Sequence, residues 1–136
     1  MRDRDVLLVD TIGQLQTFYG ACDVAFVGGS LVPHGGQNML EPAALGRAVV
    51  FGPHVANFRT DVELLLLGEA AIQVRDRTEL TSRLGELLRD AELRESLGRR
   101  AVEVIRRNQG ATDRTLELLR PILRSRSQAD DQATVD

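Results

Sequence analysis

Residues 28–42 have the sequence Gly-Gly-Ser-Leu-Val-Pro-His-Gly-Gly-Gln-Asn-Met-Leu-Glu-Pro, and they lie between two short apolar runs, Asp23–Val27 and Ala48–Phe51. A strand that passes through a glycine-rich loop into a short helix leaves backbone N–H groups open to a phosphate or a carboxylate. Glycine also permits positive φ and a close approach by a ligand. The stretch therefore predicts a ligand-binding loop at the end of a buried strand.

Strand-like and helix-like segments alternate along the rest of the chain. Four apolar runs have the length and composition of strands that are buried on both faces, namely Val6–Val9, Asp23–Val27, Ala48–Phe51 and Ala71–Val74. Helical periodicity follows each run, over about residues 11–20, 38–45, 57–67 and 78–123, with breaks in the last segment at Gly98 and Gly110. This order predicts an α/β fold, a Rossmann-like parallel sheet with helices on both faces.

The composition fits one globular domain. The chain has 136 residues, of which 43% are apolar, with one cysteine and a net charge of −3 at pH 7. No apolar run approaches the ~20 residues that a transmembrane helix needs, so we expect the chain itself to be soluble. The negative charge argues against a nucleic-acid partner. We predict a domain at residues 1–124 and a disordered tail at residues 125–136.

The position of the first predicted strand bears on domain organisation. It begins within six residues of the N-terminus and has no preceding helix to cover it. We therefore expect the chain to be the C-terminal portion of a larger protein.

Three segments are expected to meet at the carboxyl ends of the strands, where open α/β sheets bind ligands. They are residues 10–14, residues 28–38, and residues 52–57. Glu41, in the first turn of the next helix, could accept hydrogen bonds from sugar hydroxyls or merely cap its helix. His34 lies in a loop, so we predict that its side chain contacts an anionic group of a ligand. The alternative is a hydrogen bond that only stabilises the loop.

The sequence lacks the motifs of several enzyme classes. It contains no lysine, which excludes a P-loop and Schiff-base chemistry. No Gly-x-Gly-x-x-Gly follows the first strand, no Ser-His-Asp arrangement is evident, and the two histidines have no metal-ligand neighbours. We expect a site that binds and stabilises charge without a metal, a cofactor or a catalytic residue of its own.

The chain resembles the C-terminal half of the bacterial 3-deoxy-D-manno-octulosonic acid (Kdo) transferases, which are lipid A glycosyltransferases of the two-domain GT-B fold. The resemblance covers about residues 6–119. It rests on Asp-Thr-Ile-Gly-Gln-Leu at 10–15, Phe-Val-Gly-Gly-Ser at 26–30, His-Gly-Gly-Gln-Asn-Met-Leu-Glu-Pro-Ala-Ala at 34–44, and Gly-Pro-His with Asn-Phe at 52–58.

This resemblance implies an inverting enzyme that transfers Kdo from CMP-Kdo to a lipid A precursor at the cytoplasmic face of the inner membrane, with no metal at the donor site. It implies a nucleotide site made of Ile12, Gly13, Gln14, Asn38, Met39, Leu40 and Glu41. It implies a phosphate and sugar loop made of Gly28, Gly29, Ser30, His34, Gly35, Gly36 and Gln37. Ile12 and Gln14 replace the more usual Met and Glu, which affects contacts to the base.

The resemblance also assigns the general base and the acceptor site to an N-terminal domain. The chain alone is therefore expected to bind the donor weakly and to be inactive, with His34 in an electrostatic role at most.

Two alternatives remain open from the residues. The glycine-rich loop and the Glu-Pro pair are shared by GT-B enzymes that use UDP- or GDP-sugars, so the chain could be the donor half of one of these. The other alternative is a non-catalytic interaction module in which the fold persists and the cleft is unused.

Overall fold

A computed structural model describes residues 6–110 and residue 119. Its elements, in chain order, are α1 (Leu15–Ala21), β1 (Val24–Val27), α2 (Leu40–Ala44), β2 (Ala48–Phe51), a 3-10 helix (Ala56–Phe58), α3 (Arg59–Leu67), β3 (Ile72–Gln73), α4 (Arg77–Arg89) and α5 (Ala91–Asn108). Tertiary contacts divide the chain into a unit that ends at Ile105 and a second unit that begins at Arg106. The sheet and the candidate site lie in the first unit.

The three strands form a parallel sheet in the order β1-β2-β3. In the register, Val24 pairs with Ala48, and Phe51 pairs with both Val27 and Gln73. A helix lies between each strand and the next, as parallel pairing requires. The predicted α/β class and the strands predicted near residues 23–27, 48–51 and 71–74 are confirmed.

The central strand, β2, is buried on both faces. All four of its residues are buried, and alternate residues join different apolar clusters, as the two-residue period of a strand dictates. Val49 and Phe51 belong to the cluster that contains residues of α2 and α3, whereas Ala48 and Val50 belong to the cluster that contains residues of α4. The prediction of helices on both faces of the sheet is therefore confirmed.

The strand predicted at Val6–Val9 is wrong. These residues lie outside any helix or strand, and the side chains of Val6, Leu7 and Leu8 are 85%, 76% and 85% exposed. A strand needs a neighbour to satisfy its backbone hydrogen bonds, and within residues 6–110 β1 pairs with β2 alone. A short apolar run shows that a segment is suited to a buried strand, but it does not show that a partner is present.

The predicted helix boundaries are correct in part. The long helical segment divides at Asp90, not at Gly98, because the Asp90 carboxylate accepts a hydrogen bond of 2.9 Å from the Leu93 N–H and starts a new helix there. α1 begins at Leu15, after the predicted start, and α2 begins at Leu40. Except for residue 119, the helix predicted at 111–123 and the tail predicted at 125–136 lie outside the described residues.

No helix in the described part of the chain combines the length and the hydropathy that a membrane span demands.

Gly98 stays inside α5 because the helix passes directly over another glycine. A Cβ atom at Gly98 would overlap the carbonyl oxygen of Gly46, and Gly46 itself adopts a positive φ of 69°. Both positions therefore depend on glycine, one for space and the other for backbone conformation.

We expect Gly98→Ala to lower the free energy of unfolding by about 1–3 kcal/mol, because α5 must shift away from Gly46. The matched control is Gly85→Ala in α4, where a new Cβ would lie 3.5 Å from the flexible Arg89 side chain. That change should raise stability by about 1 kcal/mol through helix propensity. Urea unfolding followed by circular dichroism measures both, and equal stabilisation by the two changes would contradict the glycine contact.

Candidate functional site

Ser30 joins the loop after β1 to the end of β2. Its side chain is fully buried. Its hydroxyl donates to the Val27 carbonyl at 2.6 Å and accepts from the Gly52 N–H at 2.8 Å. The His54 N–H donates to the Ser30 carbonyl at 2.9 Å. The hydroxyl therefore joins the end of β1 to the residue after β2 and is buried away from solvent. The resemblance had placed Ser30 in the phosphate and sugar loop.

The glycine-rich loop uses several of its own N–H groups. Gly36 donates to the Gly29 carbonyl at 3.1 Å, Gln37 donates to the Gly28 carbonyl at 3.2 Å, and His34 donates to the Val32 carbonyl at 2.7 Å. Gly29 and Gly36 have φ values of 69° and 77°, which the fold of this loop requires. The expected set of open backbone donors is therefore smaller than the sequence indicated, because three of these donors are already paired.

The side chains of His34 and Gln37 are exposed on this loop. They supply an imidazole and an amide that can reach a ligand from the loop surface. The loop therefore offers hydrogen-bond donors from side chains, whereas the sequence predicted donors from the backbone.

Asn38 and Glu41 form a hydrogen-bonded pair at the start of α2. The Asn38 Nδ2 group donates to Glu41 Oε1 at 3.1 Å, and Asn38 Oδ1 accepts from the Leu40 N–H at 3.0 Å. The first N–H of α2 is therefore paired with the Asn38 side chain and not with Glu41. The Oε2 atom of Glu41 takes part in none of the hydrogen bonds described for residues 6–110, so it can accept from a ligand.

Tyr19 in α1 lies close enough to Glu41 for the Glu41 charge to affect ionisation of the Tyr19 phenol. Burial raises the pKa of the Tyr19 phenol above its ordinary value, and the Glu41 carboxylate raises that pKa further. From the sequence, Tyr19 was predicted only as part of the helical periodicity of residues 11–20. The signal in the sequence was the residue type, because tyrosine carries a hydroxyl group that usually finds a polar partner.

The first motif leads into the same helix. Ile12 is completely exposed, Gly13 has a positive φ of 87°, and the side chain of Gln14 accepts a hydrogen bond of 3.0 Å from the Thr11 hydroxyl. The motif precedes α1, and α1 packs beside α2, the helix that carries Glu41.

A surface cavity of about 350 Å³ lies between the loop after β1 and the segment after β2. Pro33 and Gly35 line it from the first segment, and Pro53, His54 and Arg59 line it from the second. Both cationic or protonatable side chains are exposed. His54 belongs to the segment 52–57 that the sequence placed at the carboxyl ends of the strands. Arg59 was not predicted, because it follows the recognised motif and begins an ordinary amphipathic helix.

The described residues contain no group of three or more His, Cys, Asp or Glu side chains that could hold a metal ion. Within the described part of the chain, the site is made of hydrogen-bonding groups and one guanidinium.

Comparison with known proteins gives a consistent set of relatives. No family model matches the chain. The chain is 43% identical over 119 residues to the 3-deoxy-D-manno-octulosonic acid transferase of Haemophilus influenzae. The match covers 87% of this chain and 28% of that protein. The chain is 40% identical over 116 residues to the enzyme of the same name from Bordetella pertussis, covering 85% and 27%. The chain thus spans about a quarter of the length of these curated relatives.

A solved structure is also similar. It is the C-terminal CMP-Kdo binding domain of WaaA from Acinetobacter baumannii, with a TM-score of 0.68 and 35% sequence identity. The match covers 71% of this chain and 51% of that one.

The chain has a single tyrosine and no tryptophan, so an ultraviolet titration of tyrosinate reports on Tyr19 alone. We expect Glu41→Gln to lower the pKa of Tyr19, because it removes a negative charge that opposes ionisation of the phenol. The pKa should stay above the ordinary value, since burial is the larger cause.

Glu63→Gln on the exposed side of α3 serves as the control and should leave the Tyr19 titration unchanged. If Glu41→Gln also left it unchanged, Tyr19 and Glu41 would not be neighbours in solution.

Proposed function

We propose that this chain, a homologue of the C-terminal part of the Kdo transferases, is the donor-binding part of such an enzyme and binds CMP-Kdo. The observation that carries the proposal is the similarity, in fold and at 35% identity, to a domain described as CMP-Kdo binding. The sequence relatives carry the same transferase name. None of these comparisons favours a UDP- or GDP-sugar enzyme or a non-catalytic module.

The ribose of CMP is proposed to bind at Glu41. A carboxylate oxygen accepts hydrogen bonds from sugar hydroxyls, and Oε1 is already held by Asn38 at 3.1 Å. This contact fixes the orientation of the carboxylate and directs its second oxygen to the ligand.

The cytosine is proposed to lie against the segment Ile12, Gly13 and Gln14, together with the start of α2 at Met39 and Leu40. Met39 is fully buried, so its contribution is made by its backbone. Backbone contacts to the base do not depend on side-chain identity, and they accommodate Ile12 and Gln14 in this motif.

The phosphate is proposed to bind at the surface of the glycine-rich loop. Gly28 and the side chains of His34 and Gln37 are exposed there, and Gly29, Gly35 and Gly36 shape the loop. The helix dipole contributes little, because α2 has five residues and its first N–H is already paired with Asn38. Stabilisation of the CMP leaving group therefore rests on side-chain donors at this loop.

The whole enzyme is proposed to transfer Kdo to a lipid A precursor at the cytoplasmic face of the inner membrane, with inversion and without a metal at the donor site. The relatives are about four times as long as the matched segment. We assign the general base and the acceptor site to the part of those proteins that this chain does not match, so the chain alone should be inactive.

The nucleotide preference tests the proposal directly. In calorimetric titrations of the 136-residue chain with CMP, UDP and GDP, we expect CMP to bind most tightly. A preference for UDP or GDP of about ten-fold or more, which is about 1.4 kcal/mol, would overturn the assignment to CMP-Kdo. If no nucleotide changed the amide NMR signals of residues 28–41, the chain would be an interaction module.

The ribose contact has its own test. We expect Glu41→Ala to weaken CMP binding by about ten-fold or more, because hydrogen bonds to a charged acceptor are among the stronger ones. Its circular dichroism spectrum should match that of the parent chain. Glu63→Ala is the matched control and should bind CMP normally, and unchanged affinity in Glu41→Ala would remove Glu41 from the ribose site.

A further inference from the structure

We propose that the 350 Å³ cavity between the loop after β1 and the segment after β2 holds the carboxylate of the donor sugar, with Arg59 as its counter-ion. This inference rests on the proposed function, since it concerns the sugar half of the same donor. It adds a specificity-determining residue that the motifs of the sequence did not include.

The chemistry of the donor calls for such a residue. Kdo is a carboxylic acid, so at neutral pH the donor carries a carboxylate in addition to its phosphate. A guanidinium binds a carboxylate through two parallel hydrogen bonds, which gives orientation as well as attraction. A site that selects this sugar should therefore present an arginine that is not already paired.

Arg59 satisfies this condition. Its side chain is exposed and lines the cavity, and no hydrogen bond or ion pair of its guanidinium to another described residue is present. Several other arginines are engaged. Arg75 and Arg83 form ion pairs at 2.9 Å, and Arg47, Arg94 and Arg100 donate to backbone carbonyls.

The cavity wall carries no carboxylate to compete for the guanidinium. Apart from Arg59, its side chains are those of proline, valine and alanine residues and of His54, whose ring can donate a hydrogen bond. The electrostatic character of the cavity is therefore neutral to positive, which favours an anion.

The cavity is held in shape by contacts between its two walls. The Asn57 N–H donates to the Gly35 carbonyl at 3.2 Å, and a Cβ atom at Gly35 would lie 2.5 Å from the Asn57 side chain. A wall fixed in this way is formed before the ligand arrives, as is usual for small-molecule sites.

The position of the cavity also fits the connectivity of the donor. In a nucleoside monophosphate sugar the sugar is bonded directly to the phosphate, so the two groups must bind side by side. Pro33 and Gly35 line the cavity, and His34, between them, is exposed on the proposed phosphate loop. The sugar carboxylate therefore has a route from the phosphate into the cavity.

A second cavity, of about 190 Å³, is a poorer candidate. It contains Arg47 and Arg94, but Asp23 and Glu95 line it as well. Two positive and two negative side chains leave no net attraction for an anion. Both arginines also donate to backbone carbonyls of the protein.

The test compares two ligands, CMP and CMP-Kdo, by calorimetric titration of the 136-residue chain and its variants. We expect Arg59→Leu to weaken binding of CMP-Kdo by about ten-fold or more and to leave binding of CMP unchanged. Arg59→Lys should restore part of the lost affinity, since it keeps the charge and loses the bidentate geometry. Arg77→Leu is the matched control, because Arg77 is likewise exposed and is the first residue of a helix.

The outcomes separate this inference from the function on which it rests. If the parent chain binds CMP and CMP-Kdo while Arg59→Leu binds both normally, the carboxylate assignment is overturned and the proposed function stands. Equal loss of both ligands in Arg59→Leu would also overturn it, because Arg59 would then act on the nucleotide. A parent chain that binds neither ligand overturns both proposals.

Discussion

The site depends on one buried hydroxyl group. Ser30 accepts from the N–H of Gly52 and donates to the carbonyl of Val27, so it connects the loop after β1 with the end of the neighbouring strand. Without this bridge, the Gly52 N–H would be buried without a partner at the carboxyl end of β2. The glycine-rich loop and the segment of His54 are thus held together, and both the proposed nucleotide surface and the proposed sugar cavity lie on them.

Much of the fold could be predicted because local pattern and tertiary setting agree. β2 is an unbroken apolar run, and it lies in the centre of the sheet, where both faces are covered. Val6–Val9 has the same kind of pattern, but it forms no strand. Whether a segment pairs with another strand depends on the whole sheet, so four residues alone cannot predict it. The break at Asp90 was missed for a similar reason, since the Asp90 carboxylate caps the start of α5, whereas Gly98 stays inside α5 in contact with Gly46.

The candidate site divides along the same line. Glu41 lies in α2 and Asn38 lies two residues before that helix begins, so their proximity follows from local geometry. Tyr19 and Arg59 come from other elements, and only packing brings the first to Glu41 and the second to the loop. The number of open N–H groups in a glycine loop could not be counted in advance, because it depends on the hydrogen bonds that the loop makes within itself.

The side-chain amide of Asn38 has a consequence for recognition. The amide is planar, so an oxygen anchored on the Leu40 N–H sets the direction of the nitrogen that holds Glu41. These hydrogen bonds restrict the rotamers of both side chains in the folded chain, so the conformational entropy of the side chains is lost during folding instead of on association. The proposed ribose contact would then be made to an acceptor of fixed orientation, which distinguishes hydroxyl configurations by geometry rather than by charge.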